Sequence, residues 1–567
     1  MVGGAEANGV RRRRVGLIVA HGKVTGDMSF QITDIPRVLP ELMLLLLGLL
    51  VLGSDVLTRW GRGPAAQLER AREAGQLTAV GLGLVFIVGL VQSRLLFTVP
   101  DPSGGPLDVL LTLGRNLQAG GPGGAPILGA FATDEFTMIA RLTFIGAAFL
   151  TTLLAMGYRL TANPGEFYGL LIFSTLGMSI MAAATEFILA YLALELSSIS
   201  LYVLAGYFRE SERSPEAGLK YFLFGSLSSA IFLYGISLVY GFVASENQKA
   251  GGTPIVATLF AEVGRLATGD AASSPLLILG MLFIIAGLGY KISVVPFHTW
   301  APDVYQGALP PVTAFLSTAS KAAGFLLLYR LLTTAFPGAV GTPRLEEFNG
   351  WTSILAILAL VTVIVGNLAA LPQTNARRLL AYSSIGHAGF LLLAVLIWSS
   401  TSLVDRTFGA AALIYYLIVY TLTNVGSFGV LAVLTNALGS DDLGAMQGLW
   451  RRNMPLTLMM TIFILSLAGI PPLAGFWAKF FVFMAGYQAG AVPLVTIAVI
   501  MTVVSLYYYL RFLKAMWMLP APETTPFKTP PVANAAIIVS TVLVVLLGVL
   551  PNLIWGALSS AASVAAR

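Results

Sequence analysis

The sequence predicts an all-α, polytopic membrane protein with about fourteen transmembrane helices, an inverted repeat and two discontinuous helices. Three observations carry this. The 567 residues are 56% hydrophobic and only 11% charged, whereas a soluble domain carries about 25% charged residues. Apolar windows near the ~20 residues that cross a hydrocarbon core recur along the chain. Two of those windows are interrupted by proline beside a lysine, at Lys291 to Pro296 and at Pro471-Pro472 to Lys479.

The windows lie near 37–57, 77–98, 134–157, 166–184, 186–208, 216–242, 275–298, 311–334, 351–371, 378–399, 408–436, 455–485, 491–517 and 533–556. The third opens with Asp134 and Arg141, which read as interface anchors. A short turn at Ala184 and Thr185 divides the fourth from the fifth. Glu186 then favours the dipole of the fifth helix. The sixth carries Lys220 near one end. The stretch 254–267 is more weakly apolar and reads as extramembrane loop. In the seventh and twelfth windows proline removes a backbone donor and breaks the helix, which a membrane tolerates where protein or water resatisfies the backbone. Two broken helices, each with a lysine, suggest two repeated halves, a common transporter design.

Arg59, Arg62, Arg70 and Arg72 fall in the first loop. Arg159, Arg209, Arg213, Arg377, Arg378, Arg451, Arg452, Arg511, Lys514 and Lys528 fall in later odd-numbered loops. Even-numbered loops hold Arg115, Lys249, Arg265, Arg344 and Arg406. This bias predicts a multi-pass membrane protein with cytoplasmic odd loops and both termini outside. Residues 1–36 read as a polar leader. Arg11 to Arg14 within it run against the bias, and Met28 offers an alternative start directly before the first helix. The leader lacks the apolar core of a secretory signal.

Composition also excludes functions. The chain has no cysteine and three histidines. That removes disulfides and cysteine-ligated iron–sulfur clusters, and argues against a haem or zinc site. The net charge of +6 reflects cationic cytoplasmic loops, not nucleic-acid binding.

Chemistry concentrates in charges placed where they are costly. Glu195, Lys291, Lys321 and Lys479 lie within otherwise apolar spans, where one charge costs ~2.5–3.5 kcal/mol on insertion scales. Such residues face a protein interior or a water path, and ion or proton movement is the default reading. A Glu195–Lys291 pair stays charged while close, and separation frees the lysine to lose its proton; the alternative is a static ion pair. Lys220 either snorkels to the surface or modulates that pair. Lys321 reads as a central relay, with Ser317, Thr318 and Ser320 to hold water. Lys479 reads as the terminal step. His298 and His387 divide evenly between proton relay and structural hydrogen bonding.

The run from Lys291 through Pro296-Phe297-His298-Thr299-Trp300-Ala301-Pro302-Asp303-Val304-Tyr305-Gln306-Gly307-Ala308 closely resembles the signature of the antiporter-like membrane subunits of respiratory complex I. Its Asp303-Val304-Tyr305-Gln306-Gly307 version resembles the subunit N branch. Further matching blocks occupy 192–207, 216–231, 311–325, 377–390 and 465–483. The chain departs from the family at Leu309-Pro310-Pro311, where the proline has moved by one position.

The resemblance implies a fourteen-helix fold with an inverted repeat: N-terminal helices at 37–157, repeats at 158–345 and 346–517, and a C-terminal loop and helix at 518–567. It implies that Glu195 and Lys291 are the coupling pair, Lys220 its modulator, Lys321 the central relay and Lys479 the exit-side lysine. It further implies that NADH, FMN, iron–sulfur clusters and quinone belong to other subunits, with no cofactor in this chain. Neighbouring antiporter-like and smaller membrane subunits and the lipid bilayer are the expected partners. The alternative is a multi-subunit sodium/proton antiporter, which shares the Lys–Pro-Phe-His-x-Trp-x-Pro pattern; Asp303-Val304-Tyr305 argues against it. A solute carrier would cluster polar groups at one depth, and these lysines are spread.

Overall fold

A computed structural model describes residues 32–565 apart from 59–63, 94–111, 113–114, 116, 119–120, 122–124, 159–162, 253–254, 344–348 and 522. The leader, the alternative start at Met28, and Arg59, Arg62, Arg159 and Arg344 lie outside the described residues.

Among the described residues, 13 helices are long and apolar enough to cross a membrane, with one shorter apolar helix. The first six long helices are α1 (Leu39–Thr58), α2 (Pro64–Ser93), α3 (Glu135–Met156), α4 (Pro164–Ala183), α5 (Phe187–Ala205) and α6 (Arg213–Lys249). Then come α7 (Pro275–Ile292), the short α8 (Trp300–Gly307) and α9 (Pro310–Ala335). The second part of the chain forms α10 (Gly350–Ala370), α11 (Ala376–Leu396), α12 (Leu403–Leu438), α13 (Met454–Ala468), α14 (Ala474–Gln488), α15 (Val492–Leu513), α16 (Pro531–Val549) and α17 (Asn552–Ala565).

The two expected discontinuities are present. α7 stops at Ile292, Ser293 turns left-handed at φ 61°, and α8 resumes at Trp300. Pro296 lies in the gap, where a ring with no N–H cannot continue an α-helix. The window 455–485, expected as one span, is two 15-residue helices, α13 and α14. Gly469 ends α13 at φ 84°, a conformation cheap only for glycine, and Pro471-Pro472 keeps the chain non-helical.

Other expectations need correction. The window 533–556 breaks at Leu550, because Pro551 cannot extend α16, and α17 follows. The stretch 254–267 is not bare loop. Phe260–Leu266 is helical, with Phe260 and Val263 buried, and Phe260 N–H bonds the Thr185 carbonyl at the turn between α4 and α5. The displaced proline reads structurally as a helix start: Pro310 and Pro311 occupy the first turn of α9, where a missing N–H costs nothing.

α9 is the most enclosed span, wholly surrounded by protein, with α11 and α12 nearly so. A π-helical turn at Leu316–Ser320 interrupts α9 immediately before Lys321. Ser317 and Thr318 spend their hydroxyls on the Ala314 carbonyl within that turn.

The N-terminal helices join this centre through buried charges. Arg141, expected at an interface, is fully buried, and its Nε lies 2.7 Å from Glu41 Oε1 on α1. Ser179 on α4 donates to the same Glu41 oxygen at 2.5 Å. Asp134 caps α3 by accepting from Thr137 N–H and pairs with Arg330 of α9 at 2.8 Å. A guanidinium tolerates this interior because each has a carboxylate partner.

Candidate functional site: a buried line of lysines

Glu195 lies on α5 and accepts a short hydrogen bond from Ser229 of α6. Glu186, expected to favour the dipole at the N-terminus of α5, accepts from Ile188 and Leu189 N–H at 2.9 and 2.6 Å and so caps the helix. Lys291 occupies the last turn of α7 and donates to Ser198 Oγ on α5 at 2.9 Å. Among the described residues Glu195 and Lys291 form no ion pair within 4.0 Å. Each is instead held by a serine, so the structure shows the pair apart. Beside Lys291, a cavity of ≈ 10 Å³ bordered by Ser198, Tyr202 and Ser229, the serine that bonds Glu195, is about the least space that admits one water.

Lys321 begins the regular part of α9 and is 1% exposed. Its ammonium donates to both the carbonyl and the hydroxyl of Ser384 on α11, at 2.9 and 2.5 Å. The Ser384 hydroxyl also meets Tyr305 OH of α8 at 3.3 Å. Lys291 and Lys321 belong to adjoining helices. A Cβ added at Gly324 would fall 3.1 Å from Lys291 Cγ, so the absence of that methyl admits the lysine stem.

His387, one helical turn beyond Ser384, is buried between tyrosines. Its Nδ1 meets Tyr416 OH of α12 at 2.5 Å and its Nε2 meets Tyr509 OH of α15 at 3.1 Å. Tyr509 OH continues to Ser383 Oγ at 2.5 Å. Lys479, on α14 just past the second break, donates to the Ala468 carbonyl at the end of α13, at 3.1 Å, and sits 5.4 Å from the Phe390 ring centroid. A carbonyl freed by a broken helix, and an aromatic face, are both suited to a cation. A second cavity of ≈ 10 Å³ lies between His387, Tyr420, Thr423 and Ala478.

Two predicted residues stand apart from this interior line. His298 is half-buried in the gap between α7 and α8. Lys220 is 37% exposed and pairs with Asp303 at 2.9 Å and Glu216 at 2.7 Å. Asp303 also binds Arg378, at 2.6 Å. Partial burial would raise its carboxyl, but the bonds from Lys220 and Arg378 outweigh this and hold it below the usual carboxylate range.

The structure thus holds Lys291, Lys321, His387 and Lys479 in the interior and Glu195 half-buried, each bonded to neutral polar groups. Ser198, Ser229, Tyr305, Ser384, Tyr416 and Tyr509 carry no charge and escaped the sequence reading. Asp303 could have been found, as an isolated carboxylate directly after a helix break.

The family described as NADH:quinone oxidoreductase/Mrp antiporter, transmembrane, matches residues 184–505. Those residues include every lysine of the line. "NADH-quinone oxidoreductase subunit N 1" of Roseiflexus castenholzii is 94% identical over 540 residues, covering 95% of this chain and all of that protein. The chain belongs to the subunit N family of NADH-quinone oxidoreductases. A more distant member, subunit N 2 of Herpetosiphon aurantiacus, is 47% identical, covering 94% of this chain and 99% of that one. Among solved structures, a chain of respiratory complex I from Thermus thermophilus with bound aureothin aligns at 33% identity and a TM-score of 0.67, over 93% of this chain and 99% of that one. A chain of the Mrp complex from Dietzia sp. aligns with a TM-score of 0.70 over 94% and 97% of the two chains, but at 18% identity it shares only the fold. The subunit N family and the multi-pass helical architecture agree.

Proposed function

We propose that this chain is a proton-translocating membrane subunit of an NADH-quinone oxidoreductase, carrying protons along Glu195, Lys291, Lys321, His387 and Lys479 while quinone is reduced elsewhere in the complex. The observation that carries the reading is the chemistry around Lys321. Its ammonium is buried at the centre and bonded to one carbonyl and one hydroxyl, with no carboxylate within 4.0 Å among the described residues. A lysine meant only to fasten helices would be expected against a carboxylate, as Arg141 and Arg330 are. A lysine held by neutral dipoles alone has no fixed counter-charge to hold its proton, which suits a relay.

The serines and tyrosines supply the steps between. Each hydroxyl both donates and accepts, so it can pass a proton between the charged groups or hold a water that does. Glu195 and Lys291 act as the switch: drawn together the lysine stays charged, and drawn apart it is free to hand its proton toward Lys321. Lys220 modulates that pair from the end of α6, His387 contributes as a relay, and Lys479 serves the exit side, while His298, away from the line, belongs to the broken segment it sits in.

NADH, FMN, iron–sulfur clusters and quinone belong to other subunits. The neighbours are another antiporter-like subunit and the small subunits leading to the quinone site. The odd-numbered loops face the cytoplasm of a bacterial cell, with both termini outside, and the repeats fall at 158–345 and 346–517. A multi-subunit sodium/proton antiporter is the less favoured reading, since the Mrp chain is matched in fold only.

Lys291→Ala should abolish proton pumping by the intact complex while assembly survives. Glu195→Gln should slow turnover strongly, and the double variant should be little worse than Lys291→Ala, because coupled residues are not additive. Vesicle acidification driven by NADH checks all three. Full pumping by the alanine variant would remove Lys291 from the mechanism.

A further inference from the structure

Three helices that carry the relay meet on one carboxylate away from it. Asp303 Oδ2 accepts from Lys220 Nζ of α6 at 2.9 Å, and Asp303 Oδ1 accepts from Arg378 Nη1 of α11 at 2.6 Å. α6 also provides Ser229 to Glu195. α11 provides Ser384 to Lys321 and carries His387. α8, which bears Asp303, follows the break after Lys291 and provides Tyr305 to Ser384.

The junction is built to exchange partners. Asp303 is 34% exposed, and a cavity of ≈ 120 Å³ opens against it, Arg213, Glu216, Lys220 and Gln306. That is room for several waters at ~30 Å³ each. Lys220 has Glu216 as a second acceptor at 2.7 Å, and Arg378 has Gln306 Oε1 at 3.4 Å. Either cation can therefore leave Asp303 without being stranded. The groups around this carboxylate are Arg213, Glu216 and Lys220 from α6, Arg378 from α11, itself in contact with Tyr382, and Gln306 from its own helix.

We propose that Asp303 is a positioning residue of the proton relay. Its carboxylate couples the Glu195–Lys291 end, through Lys220 and α6, to the Lys321–His387 end, through Arg378 and α11. With the carboxylate neutralised, Lys220 and Arg378 become two like charges facing each other across the junction, and the ends of α6 and α11 are no longer held in one arrangement. This rests on the relay reading above, and its test keeps the two separable.

The experiment uses the whole complex in sealed membrane vesicles, carrying Asp303→Asn, Asp303→Glu, Lys220→Met, the Asp303→Asn/Lys220→Met double, or Lys321→Ala. Three quantities are read per assembled complex: quinone-reductase turnover, protons moved per electron pair, and the amount assembled. Asp303→Asn should lower pumping by about tenfold, the equivalent of one hydrogen bond to a charged group. Asp303→Glu should restore most of it, and the double variant should be no worse than the poorer single. Should Asp303→Asn not accumulate, Lys220→Met removes the other end of the same bond and carries the same expectation. A normal proton ratio per assembled complex in Asp303→Asn would reduce the residue to a structural tie and overturn the proposal. So would independent, multiplying losses in the double variant. Normal pumping by Lys321→Ala would instead sink the relay reading itself. Lost pumping there, beside intact pumping in Asp303→Asn, would sink only the role of Asp303.

Discussion

Lys321 meets two oxygens of a single residue, the carbonyl and the hydroxyl of Ser384. Such a site binds an ammonium without fixing its charge. Lys321→Arg should therefore impair pumping nearly as much as Lys321→Ala, because arginine keeps its proton at any working pH. Near-normal acidification by the arginine variant would show a structural cation. At this scale the sequence was informative about charge and poor about dipoles. Glu195, Lys291, Lys321 and Lys479 stand out because a charge in an apolar span is expensive. Ser384 and Tyr509 do not, because hydroxyl side chains on a membrane helix usually satisfy themselves on their own backbone, as Thr421 and Ser427 do here. Only the packing shows which hydroxyls turn outward to a neighbour.

The breaks decide what the elements can do. α13 ends with an uncapped carbonyl at Ala468, which takes Lys479, and α14 starts hard against it. A Cβ on Gly475 would lie 1.8 Å from the Ser466 carbonyl oxygen, a backbone atom that cannot step aside. Gly475→Val should therefore separate the two half-helices, with a cost of about 3 kcal/mol, the upper end of what overpacking costs. The expected result is lower thermal stability of the isolated complex, or loss of this subunit from it, read by a melting assay and native gel. An unchanged melting profile would refute the close approach. Both breaks were legible from proline and glycine. The division of 455–485 into two helices, and the stop at Pro551, were blurred because an apolar window averages across a turn. The helix at Phe260–Leu266 was missed because it packs on a loop, Thr185, and leaves little periodic trace.

Across the whole molecule, α1 is attached to the centre by a buried ion pair, Glu41–Arg141, shared with Ser179. Removing one partner strands the other, so Glu41→Ala should destabilise the subunit by ~3–5 kcal/mol, whereas Glu41→Leu with Arg141→Met should recover most of that. Assembly yield and thermal unfolding of the three complexes check it. A double variant as unstable as the single would mean that the charges do more than hold α1. The number of spans could be read from the sequence, but their places could not. Protein-facing and lipid-facing surfaces are both apolar, and α9, wholly enclosed, is among the less apolar spans, while peripheral α16 is the most apolar.

The missing methyl at Gly324 sets a tolerance on the machine. The space a side chain would take there is occupied by the stem of Lys291, with Ile292 alongside, so α7 and α9 interlock like a key in its ward. Sliding one helix by a turn would bring that stem against Ser320 and Lys321 or against Leu327 and Leu328, all of which carry side chains. On the relay proposed above, traffic between the two lysines runs through reorienting hydroxyls and water, while the helices that bear them are set apart by one hydrogen atom in place of a methyl.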